Sequence, residues 1–314
     1  MTDLGWGIAA TGGIARTVGA VLAAEPGMRV AAVGSRDLGR ARALADDLGA
    51  PGAYASYAEL CADPAVDAVY IATPHAQHLT VAEAAIAAGK AVLCEKPLAA
   101  TLADAERMVA LAREAGVFLM EAMWMRFNPL IRRLAGDERL GEIRSVQATF
   151  GFPLPFDPAH RLWDPALGGG AVLDLGVYPL ALAYLLLGEP EEIHVTGTLA
   201  PSGVDAEAGI LLSYAGGARA LLDTSLRSPM ANSATVVGTE GRADIPAPFW
   251  APGRIVVGEQ EHVLDPAEGG YQAQAREVAL ALAEGRTESA IMPLEATLGV
   301  MRLMETVRER LGAL

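Results

Sequence analysis

The sequence predicts a parallel-sheet α/β domain followed by an α+β domain with an open, mainly antiparallel sheet. Three observations carry this. Short apolar runs alternate with helical patterns up to Glu121, as in a parallel sheet with right-handed crossovers. A Gly-rich turn follows the first apolar run directly. Beyond residue 190, strand-like runs succeed one another without intervening helices, which implies antiparallel pairing. At 314 residues the chain exceeds most single cores.

Composition narrows the class. Hydrophobic residues make up 52% of the chain, enough for substantial cores, and no polar low-complexity tract suggests disorder. The net charge is -14, which excludes nucleic acid as the expected partner and leaves only a local basic pocket for a small phosphate. The start of the chain lacks a basic segment, and its apolar run is broken at Thr11-Gly12-Gly13, so no signal peptide is expected. The apolar run over 171–187 contains Asp174, Gly176, Tyr178 and Pro179, too interrupted for a membrane span. Cys61 and Cys94 are the only cysteines, implying neither a disulfide framework nor a zinc site, and no metal is expected. The expected location is the cytoplasm.

The first strand, 5–9, runs into Ala10-Thr11-Gly12-Gly13-Ile14-Ala15 and a helix to about residue 24. Strand, glycine turn and helix match the dinucleotide fingerprint G-x-G-x-x-G/A, with Ala10, Gly12 and Ala15 in its three marked positions. The middle glycine matters most, because a side chain there would keep a pyrophosphate off the helix N-terminus. The second strand, 28–34, is followed by Ser35-Arg36, with no acid before Asp37. An acid at that point would hold both ribose hydroxyls and favour NAD. A hydroxyl and a guanidinium suit a 2′-phosphate, so NADP is expected over NAD.

Helices are expected over 38–48, from residue 57, over 80–88 and over 98–115, with strands at 68–72 and 117–120. The third strand ends at Thr73-Pro74-His75-Ala76-Gln77-His78. His75 and His78 stand at a strand's carboxyl end, where they serve either the nicotinamide or the framework. The next strand is Ala91-Val92-Leu93-Cys94, running into Glu95-Lys96-Pro97. Proline ends the ladder, so Glu95 and Lys96 fall on the edge where doubly wound sheets bind ligands.

After residue 121 the pattern changes. A helix over 123–134 carries Trp124, Arg126 and Phe127, and a strand is expected over 143–152. A loop with His160, Arg161 and Trp163 leads to Gly168-Gly169-Gly170. The following helix, 171–187, sets Asp174 and Tyr178 four apart on one face, and Pro179 predicts a kink or boundary there. Strands follow at 192–199, 208–214, 219–226, 233–238 and 253–264, with a hairpin at Gly216-Gly217. Helices over 272–284 and 295–311 close the chain.

Placed in order, these pieces resemble the Gfo/Idh/MocA oxidoreductases, the family of glucose–fructose oxidoreductase and inositol dehydrogenase. The carriers are residues 7–15, the segment Thr73 to His78, Glu95-Lys96-Pro97, Gly168-Gly169-Gly170 with Asp174-Leu175-Gly176-Val177-Tyr178, and Gly238-Thr239-Glu240-Gly241. Met120-Glu121-Ala122-Met123-Trp124 with Arg126-Phe127, and Tyr178 where many relatives carry His, are similar to the dimeric dihydrodiol dehydrogenase and NADP-dependent D-xylose 1-dehydrogenase branch. Ala10 and His75 depart from the usual Gly and Asn.

The resemblance implies a Rossmann NADP-binding domain over 1–121 and a substrate-binding and oligomerisation domain over 122–314. The helix at 295–311 is a candidate to pack back on the first domain. The resemblance also implies a homodimer or dimer of dimers through the C-terminal sheet. The catalytic set falls on Lys96, Asp174 and Tyr178. The cofactor set falls on Thr11, Gly12, Gly13, Ile14, Ala15, Ser35, Arg36, Thr73, Pro74, His75, His78, Glu95 and Lys96. Candidates for the substrate wall are Trp124, Arg126, Phe152, Arg161, Trp163 and Trp250. The implied reaction is hydride transfer between the nicotinamide and a CH–OH group of a sugar or related polyol.

Two proton assignments remain. Tyr178 takes the hydroxyl proton beside cationic Lys96, or Lys96 carries it and Tyr178 binds. Asp174 would orient Lys96 or the substrate. A reductase of a non-sugar carbonyl or anhydrosugar would share this chemistry. The family also contains a regulator that binds dinucleotide without turnover; the presence of Lys96, Asp174 and Tyr178 favours an enzyme.

Overall fold

A computed structural model describes residues 3–313. The chain forms two compact units. The first runs to Met123 and takes in Tyr271–Thr297; the second comprises Trp124–Gly270 and the chain from Leu298.

The first unit is a six-stranded sheet of β1 (Leu4–Ala9), β2 (Met28–Gly34), β3 (Gly52–Tyr54), β4 (Ala68–Ile71), β5 (Ala91–Glu95) and β6 (Leu119–Ala122). All its pairings are parallel, in the order β3-β2-β1-β4-β5-β6. The order reverses at β1 and β4, which makes the crevice at their carboxyl ends the ligand edge. The crossover helices are α1 (Gly13–Ala24), α2 (Leu38–Leu48), α3 (Tyr57–Ala62), α4 (His78–Ala87) and α5 (Leu102–Ala115). Their caps follow the sequence: Asp37, Ser56 and Thr101 accept first-turn amides, and Gly49 and Gly116 end α2 and α5 in left-handed backbone. Strand β3, three half-buried residues at the sheet edge, is too short to show a periodic signal.

The second unit opens with a 3-10 turn, Trp124–Phe127, and α6 (Pro129–Leu134) in place of the single helix expected over 123–134. The Asn128 side chain caps the Leu130 amide and Pro129 has no amide to offer, so a new helix starts there. Its sheet comprises β7 (Ile143–Gly151), β8 (Glu192–Leu199), β9 (Asp205–Ser213), β10 (Arg219–Ser225), β11 (Ala234–Gly238), β12 (Arg242–Ile245), β13 (Arg254–Val257) and β14 (Gln260–Val263). The order is β14-β13-β12-β11-β7-β10-β9-β8, and every pair is antiparallel except β10 with β7. The strand expected over 253–264 is a hairpin, because Gly258 takes a φ of +62° between Val257 and Gln260. Strand β12 is not separately marked in the sequence, its four residues lying just after the Gly238–Gly241 turn.

The segment expected as one helix over 171–187 is a π-helical turn, Val172–Gly176, followed by α7 (Val177–Leu187). Pro179 is the third residue of α7. In a continuous α-helix its ring would press on the carbonyl four residues back; the widened turn lies at that point. The apolar helical stretch Pro165–Leu187 is long enough to cross a membrane, but 78% of its most apolar window is buried, as in a core helix. Helix α8 (Tyr271–Ala283) lies in the first unit; α9 (Leu294–Leu311) starts there and continues in the second.

Candidate active site

The glycine turn of the first unit is built for an anion. Gly12 caps α1 with no side-chain hydrogen bond, so the first amides of the helix remain available to an incoming group. A Cβ added at Gly12 or Gly13 would meet nothing within 4 Å. Protein packing therefore does not require glycine there, whereas close approach of a pyrophosphate would. Ala10 has a φ of +117°, a backbone that glycine adopts freely and alanine does not. The fingerprint's first position keeps its glycine geometry without the glycine. Thr11, Ile14 and Ala15 complete the turn and the first residues of α1, with Ala15 wholly buried.

At the end of β2, Ser35 is buried and its hydroxyl accepts the Asp37 amide at 3.2 Å, while Arg36 is exposed. The Asp37 carboxylate accepts the Arg40 amide at 2.9 Å as the cap of α2. The first acid after β2 is thus engaged in the framework, and Arg36 is the charged side chain open beside it.

The end of β4 carries Thr73 and Pro74 into a 3-10 turn, His75–Gln77. Thr73 is buried, and its hydroxyl oxygen has no hydrogen-bond partner among the described residues, a group a bound ligand can satisfy. His75 and His78 are both buried, their rings in edge contact at 5.7 Å. His78 Nε2 lies 2.9 Å from the Thr73 carbonyl, and Nδ1 lies 3.1 and 3.2 Å from the carbonyls of Pro97 and Leu98. Burial, with the Lys96 charge adding to it, lowers the His78 pKa despite these acceptors.

The β5 edge is pinned from several sides. The Tyr70 hydroxyl donates to the buried Glu95 carboxylate, which in turn accepts the Lys96 amide at 3.3 Å. The Leu98 amide donates to Glu121 at 3.2 Å, and Glu121 also accepts the Thr297 hydroxyl at 3.0 Å. Lys96 itself is half-buried, preceding a cis peptide bond to Pro97. Tyr70, Glu121 and Thr297 were not among the expected site residues; only three-dimensional neighbourhood joins them to Lys96.

In the second unit Tyr178 is buried, and its hydroxyl accepts a 2.9 Å hydrogen bond from Trp124 Nε1. Trp250 lies 5.9 Å from Tyr178 and stacks on Phe150 at 3.7 Å; Phe150 is 5.7 Å from Tyr178. Phe150 belongs to this cluster although the sequence pointed to Phe152, which lies half-buried just past the end of β7. Arg161 offers two guanidinium nitrogens to one oxygen of Asp174, at 3.1 and 3.2 Å. Trp163 is buried, donates to the Pro155 carbonyl at 3.0 Å and packs on Phe156. Arg126 is half-buried in the 3-10 turn beside Trp124. Trp124, Phe150, Tyr178 and Trp250 thus form one aromatic group with a hydrogen-bonded phenol, and Asp174 with Arg161 a second, charged one.

The sequence matches two family models. Residues 4–123 match the oxidoreductase family with NAD-binding Rossmann fold, GFO_IDH_MocA, and residues 130–244 match a GFO/IDH/MocA C-terminal domain. The chain is 39% identical to mouse trans-1,2-dihydrobenzene-1,2-diol dehydrogenase, over 98% of this chain and 97% of that one. The human enzyme of the same name is 38% identical over 98% and 97%. Among solved structures, the aldose–aldose oxidoreductase of Caulobacter crescentus superposes with a TM-score of 0.88 at 29% identity, covering 98% and 97% of the two chains. The 3-ketoreductase KijD10 of Actinomadura kijaniata, solved with NADP and TDP-benzene, superposes with a TM-score of 0.84 at 30% identity, covering 98% of each.

Proposed function

The chain belongs to the GFO/IDH/MocA oxidoreductase family, and on that premise we propose that it is an NADP-dependent dehydrogenase. The proposed donor is a CH–OH group of a sugar, a related polyol or a cyclic diol. The observation that carries this reading is the buried phenol of Tyr178, held by the Trp124 indole inside an aromatic group. A phenol oxygen that already accepts one N–H is better able to bear the charge left when it acts as a base. Aromatic faces suit both the apolar face of a sugar ring and an unsaturated diol. The relatives named for a dihydrodiol and for aldoses support the same substrate classes.

The glycine turn, the uncapped α1 N-terminus and the unpartnered Thr73 hydroxyl fit a dinucleotide. Arg36, exposed beside an Asp37 that is spent on a helix cap, supports NADP over NAD. When bound, NADP supplies the hydride acceptor. Gly12 and Gly13 would seat its pyrophosphate, Arg36 with Ser35 its 2′-phosphate, and Thr73, Pro74, His75, Glu95 and Lys96 line its nicotinamide end, with His78 behind them. Tyr178 would take the proton of the substrate hydroxyl and Asp174 with Arg161 would orient substrate hydroxyls; Lys96 is the other proposed carrier of that proton. Trp124, Arg126, Phe152, Trp163 and Trp250 belong to or support the substrate wall.

The same reading makes the protein a cytoplasmic homodimer or dimer of dimers joined through the sheet of the second unit. Along that sheet His194, Leu211, Leu221, Gln147 and Thr235 form one cross-strand row, in a groove of about 610 Å³. Leu211 and Leu221 are 37% and 45% exposed there, an apolar face that self-association would cover. Light scattering of the wild type against Leu221→Lys tests it: a dimer that the lysine splits is expected, and a wild-type monomer overturns it.

The first experiment for the activity follows NADPH and NADH formation by absorbance against a panel of aldoses, inositols and an arene dihydrodiol. Turnover with NADP and weak turnover with NAD are expected. A strong preference for NAD overturns the cofactor assignment, and silence across the panel overturns the substrate class.

A further inference from the structure

We propose that Asp205 is a positioning residue for the reaction: its buried carboxylate holds the Val172 amide and so sets the π-helical turn that carries Asp174 and leads into Tyr178. This rests on the reading that Asp174 and Tyr178 serve the chemistry.

Asp205 is the first residue of β9 and is fully buried. One carboxylate oxygen accepts the Val172 amide at 2.6 Å; the other is buried without a hydrogen-bond partner among the described residues. Such a group is costly to keep, since burying a carboxylate without satisfying it opposes folding. Burial raises its pKa, opposed by the Val172 amide, then by the Arg308 charge, and then by its own and the Ala171 backbone. An apolar residue in its place would leave the Val172 amide without this acceptor.

The glycines explain what the acid does. Gly170 has a φ of +114°, and a Cβ on it would fall well inside van der Waals distance of the unpartnered oxygen of Asp205. The last glycine of the Gly168-Gly169-Gly170 run is therefore required by the carboxylate, not by the chain's need to turn alone. Two residues on, the π-helical turn begins. Asp205 fixes that turn at its start and Pro179 limits it at its end. Between them sit Asp174 and Tyr178. Loss of the widened turn would rotate the position of Asp174 against that of Tyr178 by about 100°.

The test uses full-length Asp205→Ala, Asp205→Asn and Gly170→Ala. Asn keeps an acceptor for the Val172 amide; Gly170→Ala displaces the carboxylate without removing it. Expected for Asp205→Ala is a fall in kcat of about 10- to 100-fold, with NADPH affinity, read by its fluorescence, unchanged. The pH profile of kcat should shift, and deuterium exchange should rise in 171–178 but not in β7. Asp205→Asn should recover most of kcat, and Gly170→Ala should resemble Asp205→Ala. Unchanged kcat and exchange in a folded Asp205→Ala protein overturn the proposal. So does a loss that tracks melting temperature alone, with Asn no better than Ala. Should Asp205→Ala not fold, Gly170→Ala decides on the same readouts. If the wild type turns over nothing in the panel, the functional reading fails. Asp205 is then judged by exchange and by Trp124 emission, and no change in these overturns its role.

Discussion

Trp124 Nε1 donates to the Tyr178 hydroxyl at 2.9 Å, so the indole and the phenol act as one unit. Tyr178→Phe should lower kcat by about 100- to 10,000-fold, the range for loss of a general base. Trp124→Phe should cost about 5- to 10-fold, the worth of one hydrogen bond to the reacting oxygen. Combined with Tyr178→Phe in a double variant, the tryptophan change should cost little more. Near-normal turnover of Tyr178→Phe would transfer the proton to Lys96.

Arg161 is half exposed while the Asp174 carboxylate it grips is mostly buried. A surface guanidinium can leave its partner for a substrate at small cost. Arg161→Gln should therefore raise KM with little change in kcat, and Asp174→Asn should lower kcat by about 10-fold or more. Steady-state kinetics of both variants check this; equal effects on kcat would mean the pair acts only as a unit.

His78 titrates in a direction that acid exposes. Its pKa is lowered in the folded chain, so below the unfolded value of about 6.5 the unfolded state binds more protons than the folded one. Stability is present above that pH and is lost as pH falls through it. Melting temperature should drop between about pH 7 and 5, and His78→Gln should flatten that slope. An unchanged slope would place the acid sensitivity elsewhere.

Ala10 should prefer to be glycine. Its φ of +117° costs an L-residue about 1–2 kcal/mol, against about 0.5–1 kcal/mol of added unfolded-state freedom for glycine. The first effect is larger, so Ala10→Gly should raise stability by up to about 1 kcal/mol. NADPH affinity should stay within about 3-fold. Denaturant melts and a cofactor titration read both.

Replacing Arg36 with Ala should weaken NADP by about 10-fold or more and leave NAD nearly unchanged, since only the former offers a 2′-phosphate to the guanidinium. Ser35→Asp in the same background should favour NAD through the ribose hydroxyls. Kd values for both cofactors decide it; parallel losses would mean Arg36 acts on the fold.

Much of this molecule is local and therefore legible. Gly12-Gly13 after an apolar run and Pro97 ending a strand act within a few residues of themselves. They suffice to mark a parallel-sheet domain and to put Lys96 just past the end of one of its strands. Weaker signals failed where an element was short or its partner distant. Strands β3 and β12 have three and four residues, and the hairpin of β13 and β14 reads as one run unless the φ of Gly258 is known. Phe150 and Phe152 are alike in sequence; only the packing of Trp250 separates them.

By itself the sequence determined the two fold classes, through spacing along the chain, and the family, through ordered motifs that resemble it; it also put Lys96 just past a strand and Asp174 and Tyr178 four residues apart. Tertiary structure decided what those residues touch. It set Trp124 on the phenol of Tyr178, Arg161 on Asp174 and Glu121 on the Leu98 amide, and brought the chain from Tyr271 to Thr297 back into the first unit. It also widened one helical turn and placed Asp205, 33 residues downstream of Val172, at its start. The physical reason is the same throughout: a cap or a turn is governed by neighbours in sequence, whereas a buried hydrogen bond or ring contact exists only once distant elements have packed.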